Sequence, residues 1–181
     1  PEKCFVYPID FKFDTSGKVR YKTKEDIARA LSVVDEHNTR CTLELVSPSE
    51  GRETLGVYMA PDGSCHEAVK VLHRKAIEWQ QQIVTGHISL SEAWHCVHST
   101  IMKTLEYPLP ALTLTKQECT KIMTPVKNAG LSQAGVCRKF PLDLVYGSIK
   151  YMGLGLTNLF DSQGLQHVAL FQQHITAPGI T

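Results

Sequence analysis

The chain is predicted to fold as α+β, with small antiparallel β hairpins on the N-terminal side and a bundle-like run of helices after them. Three observations carry this. Before residue 60 the apolar residues alternate with the two-residue period of a half-buried strand. After Pro61-Asp62-Gly63 they recur at three and four, the period of a helix. Two Ser/Thr-x-x-Glu sequences, Ser89 to Glu92 and Thr115 to Glu118, are capping boxes that open helices in the second part.

The elements follow in order. Phe5, Tyr7, Ile9, Phe11 and Phe13 alternate, but Pro8 cannot donate to a ladder, so this is an edge strand or two short ones. Asp14-Thr15-Ser16-Gly17 is a turn and Val19-Arg20-Tyr21 the returning strand. Ile27, Ala30, Leu31 and Val34 have helical spacing and predict a short helix over 24–34. Alternation returns from Thr42 to Val46, with Leu43 and Leu45 on one face. Leu55-Gly56-Val57-Tyr58-Met59 is a further strand, stopped by the turn at 60–63. Val69, Leu72, Ala76, Trp79 and Ile83 then share one face of a helix that Gly86 ends.

The next helix carries Leu90, Trp94, Val97, Ile101 and Leu105 on one face and stops at Tyr107-Pro108-Leu109-Pro110. Cys119, Ile122, Met123 and Val126 form the stripe of another, with Asn128-Ala129-Gly130 read as its stop. A last helix runs from about Asn158 to His174, with Leu159, Leu165, Val168, Ala169 and Phe171 among its apolar members. Gly153 and Gly155 are expected to make the approach to it flexible.

Composition narrows the class. The 181 residues suit one compact domain or two small ones, and a chain opening Pro1-Glu2-Lys3-Cys4 without Met reads as a fragment of a longer protein. No apolar run approaches the roughly 18 residues a membrane span needs, and no signal peptide opens the chain. An intracellular protein, in nucleus or cytoplasm and not secreted, is expected. The six cysteines have no zinc-ribbon spacing and are expected to be reduced and mostly buried. Net charge is only +1, yet residues 115–150 carry six basic side chains (Lys116, Lys121, Lys127, Arg138, Lys139, Lys150) against Glu118 and Asp143. Such a region can favour a polyanion or be an ordinary solvated surface.

Chemistry is scarce. The seven aspartates are scattered and no two adjoin, so the convergent carboxylates of two-metal phosphoryl transfer are not encoded. His95 and His98 lie three apart on a helix, but a metal needs at least a third ligand and no spacing fixes one. Cys65-His66 and Cys137 have no acid, base or oxyanion donors at recognised offsets. There is no P-loop, and Gly153-x-Gly155 is too short for a dinucleotide fingerprint. Trp79 and Trp94 sit on apolar helix faces and are read as core; Tyr146 and Tyr151, flanking Lys150, are the better candidates for base stacking, with core packing still favoured.

Several segments taken in order resemble one family. These are Pro1-Glu2-Lys3-Cys4 before an aromatic strand; Glu53 to Val57 with a turn at Pro61-Asp62-Gly63; Gly86-His87-Ile88 through Trp94; and Leu105 to Thr113. Further on come Arg138-Lys139-Phe140-Pro141, Val145-Tyr146-Gly147, Gly153 to Leu156 and Gln163-Gly164. Together they are similar to the part of a retrotransposon-type reverse transcriptase, an RNA-directed DNA polymerase, that follows the catalytic palm aspartates.

The resemblance implies a palm remnant with the primer-grip hairpin over 1–63, thumb-like helices over 64–114 and a helical post-thumb region over 115–181. It implies that Lys3 approaches the phosphates of an incoming nucleotide and that Leu55, Gly56 and Val57 belong to the strand holding the primer end, with Gly63 at its turn. Lys70 and Arg74 on the thumb helix, with Arg138, Lys139 and Lys150, would meet the phosphates of an RNA–DNA or RNA template–primer duplex. No catalytic residue and no cofactor are implied for this segment; Mg2+ is implied for the full-length enzyme. The partners would be the duplex and the missing palm and fingers of the same polypeptide, with no membrane. Two rival readings stand beside this one. The first is a helical protein–protein interaction domain with no nucleic-acid role, marked by a contiguous exposed apolar patch. The second is a zinc-supported module using His95, His98 and a cysteine.

Overall fold

The computed structural model describes residues 4–27, 31–34 and 38–177, arranged in two compact units, Pro1–Glu67 and Ala68–Thr181. The first holds eight short strands among its described residues: β1 (Phe5–Val6), β2 (Phe11–Phe13), β3 (Val19–Tyr21), β4 (Ser32–Val34), β5 (Arg40–Thr42), β6 (Glu44–Leu45), β7 (Arg52–Thr54) and β8 (Val57–Met59). They form pairs and not one sheet. β2–β3, β4–β5 and β7–β8 are antiparallel, while β1 and β6 run parallel. The described chain is therefore α+β, strands first and helices after.

The first alternating run splits into β1 and β2, as a proline at position 8 requires. Asp14 closes the β2–β3 turn: its carboxylate accepts from the backbone N–H of Ser16 and Lys18 and from the Arg20 guanidinium. The helix expected over 24–34 does not form among the described residues of that span, 28–30 with Ala30 lying outside them. Lys24–Asp26 is a single 3₁₀ turn, Ile27 is already extended, and Ser32–Val34 is a strand paired with β5. Two adjacent β-branched residues, Val33 and Val34, with a partner strand in reach, outweigh a helical spacing resting on four positions. The alternation from Thr42 to Val46 is likewise divided, since β5 and β6 pair with different strands and Leu43 lies between them.

In the second unit α1 (His66–Thr85) buries Val69, Leu72, Ala76 and Ile83, the expected stripe, with Trp79 half-buried. Ser89 caps α2 (Leu90–Cys96) through the predicted box with Glu92. The helix continues without a break through a π turn, Val97–Ile101, into α3 (Met102–Glu106). Thr115 and Glu118 cap α4 (Lys116–Gln133) in the same way.

Gly130 is not the stop of α4. It is buried inside the last turn of the helix, where an added Cβ would lie 3.0 Å from Val97 Cγ2, so the glycine is there for helix–helix contact. The true end is Gly135, at φ +73°, where Gly135 N–H bonds Ser132 O and Val136 N–H bonds Leu131 O in a Schellman closure.

Two short elements that periodicity did not indicate follow: α5 (Leu142–Tyr146) and a 3₁₀ turn, Ile149–Tyr151. The Gly153–Gly155 segment is packed and not loose. Leu154, Gly155 and Leu156 donate to the carbonyls of Leu144, Gly147 and Val145, and a Cβ on Gly153 would fall 2.2 Å from Gly147 O. The last helix, α6 (Leu159–Thr176), is capped by Asn158. No helix among the described residues is long and apolar enough to cross a membrane.

Burial is uneven. Ile101, Leu105, Leu109, Leu114, Ile122, Val126, Leu131, Leu156 and Leu159 are almost wholly enclosed in the helical unit. Among the described residues of the first unit only Val46, Pro48 and Val57 are buried, while Phe11, Phe13, Val19, Val33 and Val34 are exposed. The cysteines also depart from expectation. Cys119 alone is buried; Cys4 and Cys137 are exposed and the others half-buried. Three of the six lie in the thinly cored first unit, which has little interior to hold a thiol.

Candidate nucleic-acid interface

The most distinctive surface feature is the β7–β8 hairpin. Thr54 faces Val57, Glu53 faces Tyr58 and Arg52 faces Met59, leaving a two-residue loop of Leu55 and Gly56. Both have positive φ, +52° and +81°, which is the backbone of a type I′ turn. Gly takes this conformation freely; Leu does not, and its left-handed backbone costs about 1–2 kcal/mol. Leu55 is 87% exposed at the tip. Its apolar side chain is thus held out into solvent on a strained backbone, a combination that concentrates at ligand contacts.

The hairpin was expected to turn at Pro61-Asp62-Gly63, with Leu55, Gly56 and Val57 all in one strand. It turns at Leu55-Gly56 instead, and of the three only Val57 is in a strand, with its side chain buried. The reason is spacing: the β-formers 52–54 and 57–59 flank the x-Gly pair symmetrically, so pairing closes on itself there. Gly63, at φ +79°, closes a separate turn by donating to Ala60 O.

An open groove of 560 Å³ runs beside this hairpin, lined by Cys4, Phe5, Glu44, Arg52, Glu53, Leu55, Gly56 and Tyr58. Tyr7 braces the wall: its Oη donates to Glu50 O at 2.9 Å and its ring meets Phe5 edge-on, centroids 5.3 Å apart. Burial raises the Tyr7 phenol above its ordinary pKa, so it stays a donor. Arg52 is the lining cation, and its guanidinium is claimed by the Glu44 and Glu50 carboxylates. The groove can therefore hold a ring or a sugar edge through Leu55, Tyr58 and Phe5, but its charge does not draw a phosphate.

The cations lie elsewhere. On α1, Lys70 and Arg74 share an exposed face opposite the buried stripe, with Arg74 Nε 3.7 Å from Glu78. Arg138 and Lys139 follow α4 in one exposed turn, where Arg138 Nε donates to Ser132 Oγ at 2.7 Å. Lys150 stands on the 3₁₀ turn, 5.7 Å from the ring centroid of an exposed Tyr151. The last pair offers a cation and a stacking face at one spot. Tyr146 is half-buried, and burial together with Asp161 raises its pKa. Lys3 lies outside the described residues.

No three His, Cys, Asp or Glu side chains converge on a metal position among the described residues. Among the described residues no set of carboxylates converges as a divalent-metal catalytic centre requires. His98 is turned inward: its Nε2 is buried without a partner and its ring meets Trp94 edge-on at 4.8 Å. Burial, with the neighbouring His95 and Lys103 charges, lowers its pKa below the ordinary 6.5.

Sequence reading missed Arg52 and Tyr58, which line the groove on either side of the turn. A two-residue x-Gly loop between matched three-residue strands was the signal that would have found them. No family model, curated protein or solved structure matches the chain.

Proposed function

We propose that this chain is the primer–template-positioning segment of a retroelement-type reverse transcriptase: primer-grip hairpin, thumb helices and post-thumb helices, without the catalytic aspartates. The observation that carries the reading is the β7–β8 hairpin, whose apolar tip stands 87% exposed on a backbone strained to present it. Such a tip suits shape-based contact with the last base pair or sugar of a duplex. Outward Lys70 and Arg74 on α1 suit sequence-independent phosphate contacts. The order of motifs through the chain supports the same assignment.

The test is fluorescence anisotropy with an RNA–DNA hybrid. Affinity is expected to fall roughly tenfold to a hundredfold between 50 and 200 mM salt, in keeping with about two to four phosphate contacts. Lys70→Ala and Arg74→Ala are each expected to lower the slope of log K against log salt by about one, whatever the sequence of the hybrid. Nucleotide incorporation by this chain is expected to be nil. Binding that ignores salt, or that survives both substitutions unchanged, refutes the reading. One observation favours the second reading, a helical protein-interaction domain: α6 turns an apolar face to solvent.

A further inference from the structure

The glycine-containing segment between α5 and α6 forms one side of a second pocket, of 530 Å³, wholly within the helical unit. Volumes of this order hold small organic ligands. Ile149 and Leu165 are apolar walls, each 73% exposed, and Leu156 beside them is buried. The pocket is preformed. Backbone bonds from Leu154, Gly155 and Leu156 to Leu144, Gly147 and Val145 lock the segment that carries it. Gly155 stands at φ +69°, and a Cβ there would lie 2.8 Å from Ile149 Cγ1. Only glycine lets Ile149 lie where it does.

Its polar groups are the informative part. Tyr146, Thr157, Asn158 and Asp161 line it. Among the described residues the Asp161 carboxylate makes no hydrogen bond and no ion pair, and the Tyr146 hydroxyl makes no hydrogen bond. Burial, and then the Asp161 charge, raise the Tyr146 pKa, so the phenol keeps its proton and remains a donor. Asn158 Oδ1 accepts from Phe160 N at 3.0 Å, which leaves the Asn158 Nδ2 to donate. Thr157 adds a hydroxyl. One unused carboxylate therefore stands among unused donors, and no lysine or arginine lines the pocket.

That pattern selects its ligand. A bare phosphate finds no cation here. An ammonium or a guanidinium answers the carboxylate but offers no acceptor to Tyr146, Asn158 and Thr157. Guanine offers both kinds of group. Its N1–H and its exocyclic amine lie side by side for one carboxylate, and its O6 and N7 accept. Adenine turns a ring acceptor toward the carboxylate, and neither cytosine nor uracil has two adjacent N–H donors. We infer that the pocket between α5 and α6 takes a guanine base, with Asp161 on its N–H edge, Tyr146 and Asn158 donating to O6 and N7, and the ring against Ile149 and Leu165. The base can belong to a free nucleotide or to an unpaired residue of a strand, since the same contacts serve both. This inference uses no residue on which the duplex-positioning reading depends, so either can fail without the other.

The test is a titration of the whole chain, labelled with nitrogen-15, with guanosine monophosphate, followed by amide shifts. Saturable shifts centred on residues 146–149 and 155–162 are expected. Inosine monophosphate, which lacks the exocyclic amine, and adenosine monophosphate should each bind about tenfold more weakly. Asp161→Asn removes no bond of the fold and should abolish the preference for guanine over adenine. Tyr146→Phe should weaken guanine binding about threefold and keep the preference. The amide spectrum of each variant checks that the fold persists. A uridine nonamer with one central guanosine, set against an all-uridine nonamer, separates the two sources of the base. Tighter binding than the free nucleotide assigns the site to an unpaired residue, and weaker binding assigns it to a nucleotide. Four results each overturn the inference: no saturable shift at the pocket, equal binding of the guanine and adenine nucleotides, equal binding of methylguanidinium, or a preference that survives Asp161→Asn.

Discussion

The two units of this chain keep their shape by different means. The helical unit is enclosed: Leu105, Leu109, Ile122 and Val126 are essentially out of solvent, and the two capping boxes and the Schellman end of α4 satisfy the helix termini. The strand unit is stitched at its surface. Lys12–Asp26, Lys22–Asp10, Arg20–Asp14 and Arg52–Glu44 tie its hairpins, while Phe13 and Val34 face water. Exposed ion pairs contribute little each, and a two-stranded hairpin is marginal alone. The difference teaches that the strand unit is the more adaptable part and the helical unit the more rigid one.

The comparison breaks first at the core. Leu105→Ala is expected to cost about 2–5 kcal/mol, while Phe13→Ala should stay within about 0.5 kcal/mol. Urea melts followed by tryptophan fluorescence are suited to the first measurement, because Trp79 and Trp94 both belong to the helical unit. Equal losses for the two variants would abolish the distinction. Gly130→Leu comes next. Its side chain must displace Val97 from a site already at 3.0 Å, and overpacking of that kind costs about 1–3 kcal/mol. The gain in helix propensity, about 1 kcal/mol, does not cover it.

Acid should separate the units as well. The His98 pKa lies below its ordinary 6.5 because the ring is buried beside His95 and Lys103. Between that lowered pKa and 6.5 the unfolded chain takes up a proton that the folded chain refuses. Stability of the helical unit is therefore level above about pH 6.5 and declines as the pH falls below it. His98→Phe should flatten this slope. In the strand unit, hydrogen bonds from Lys12 and then Thr23 bring Asp26 down to about 2. What it contributes is present above pH 3.8 and lost as the pH falls toward 2. Melts of wild type and His98→Phe at pH 5, 6 and 7.5 check the first; amide exchange in β2–β3 between pH 4 and 2 checks the second. A His98→Phe slope equal to wild type would remove the histidine from the account.

What was legible in the sequence follows the same division. The end of α1 at Gly86, both capping boxes, the Asp14 turn and the start of α6 near Asn158 were all readable, because each is fixed by residues within one or two turns of one another. The strand at 32–34, the position of the hairpin turn and the role of Gly130 were not. Each depends on a partner distant in sequence: β5 for Ser32–Val34, the matched strands around Leu55-Gly56, and Val97 for Gly130. The candidate site was legible by composition and not by geometry. Leu55 and Gly56 were singled out, but as strand; the apolar members of α6 were named without a side assigned to them. A single helical stripe does not say which side of the helix faces inward when polar residues such as Gln163 and His167 can bind backbone there.

The smallest expected effect is the most local. Leu55 occupies the first position of a type I′ turn, where Asn is favoured because its side chain tolerates the left-handed backbone. Leu55→Asn should stabilise the hairpin by about 1 kcal/mol, seen as roughly fivefold slower amide exchange at Val57. Stability of the helical unit should not move. The same substitution removes the apolar tip, so hybrid affinity is expected to fall while the hairpin grows firmer. A residue kept only for folding would give the two effects the same sign. Opposite signs identify strain retained for contact, and a hairpin that binds the hybrid equally well with Asn at its tip would remove Leu55 from the interface.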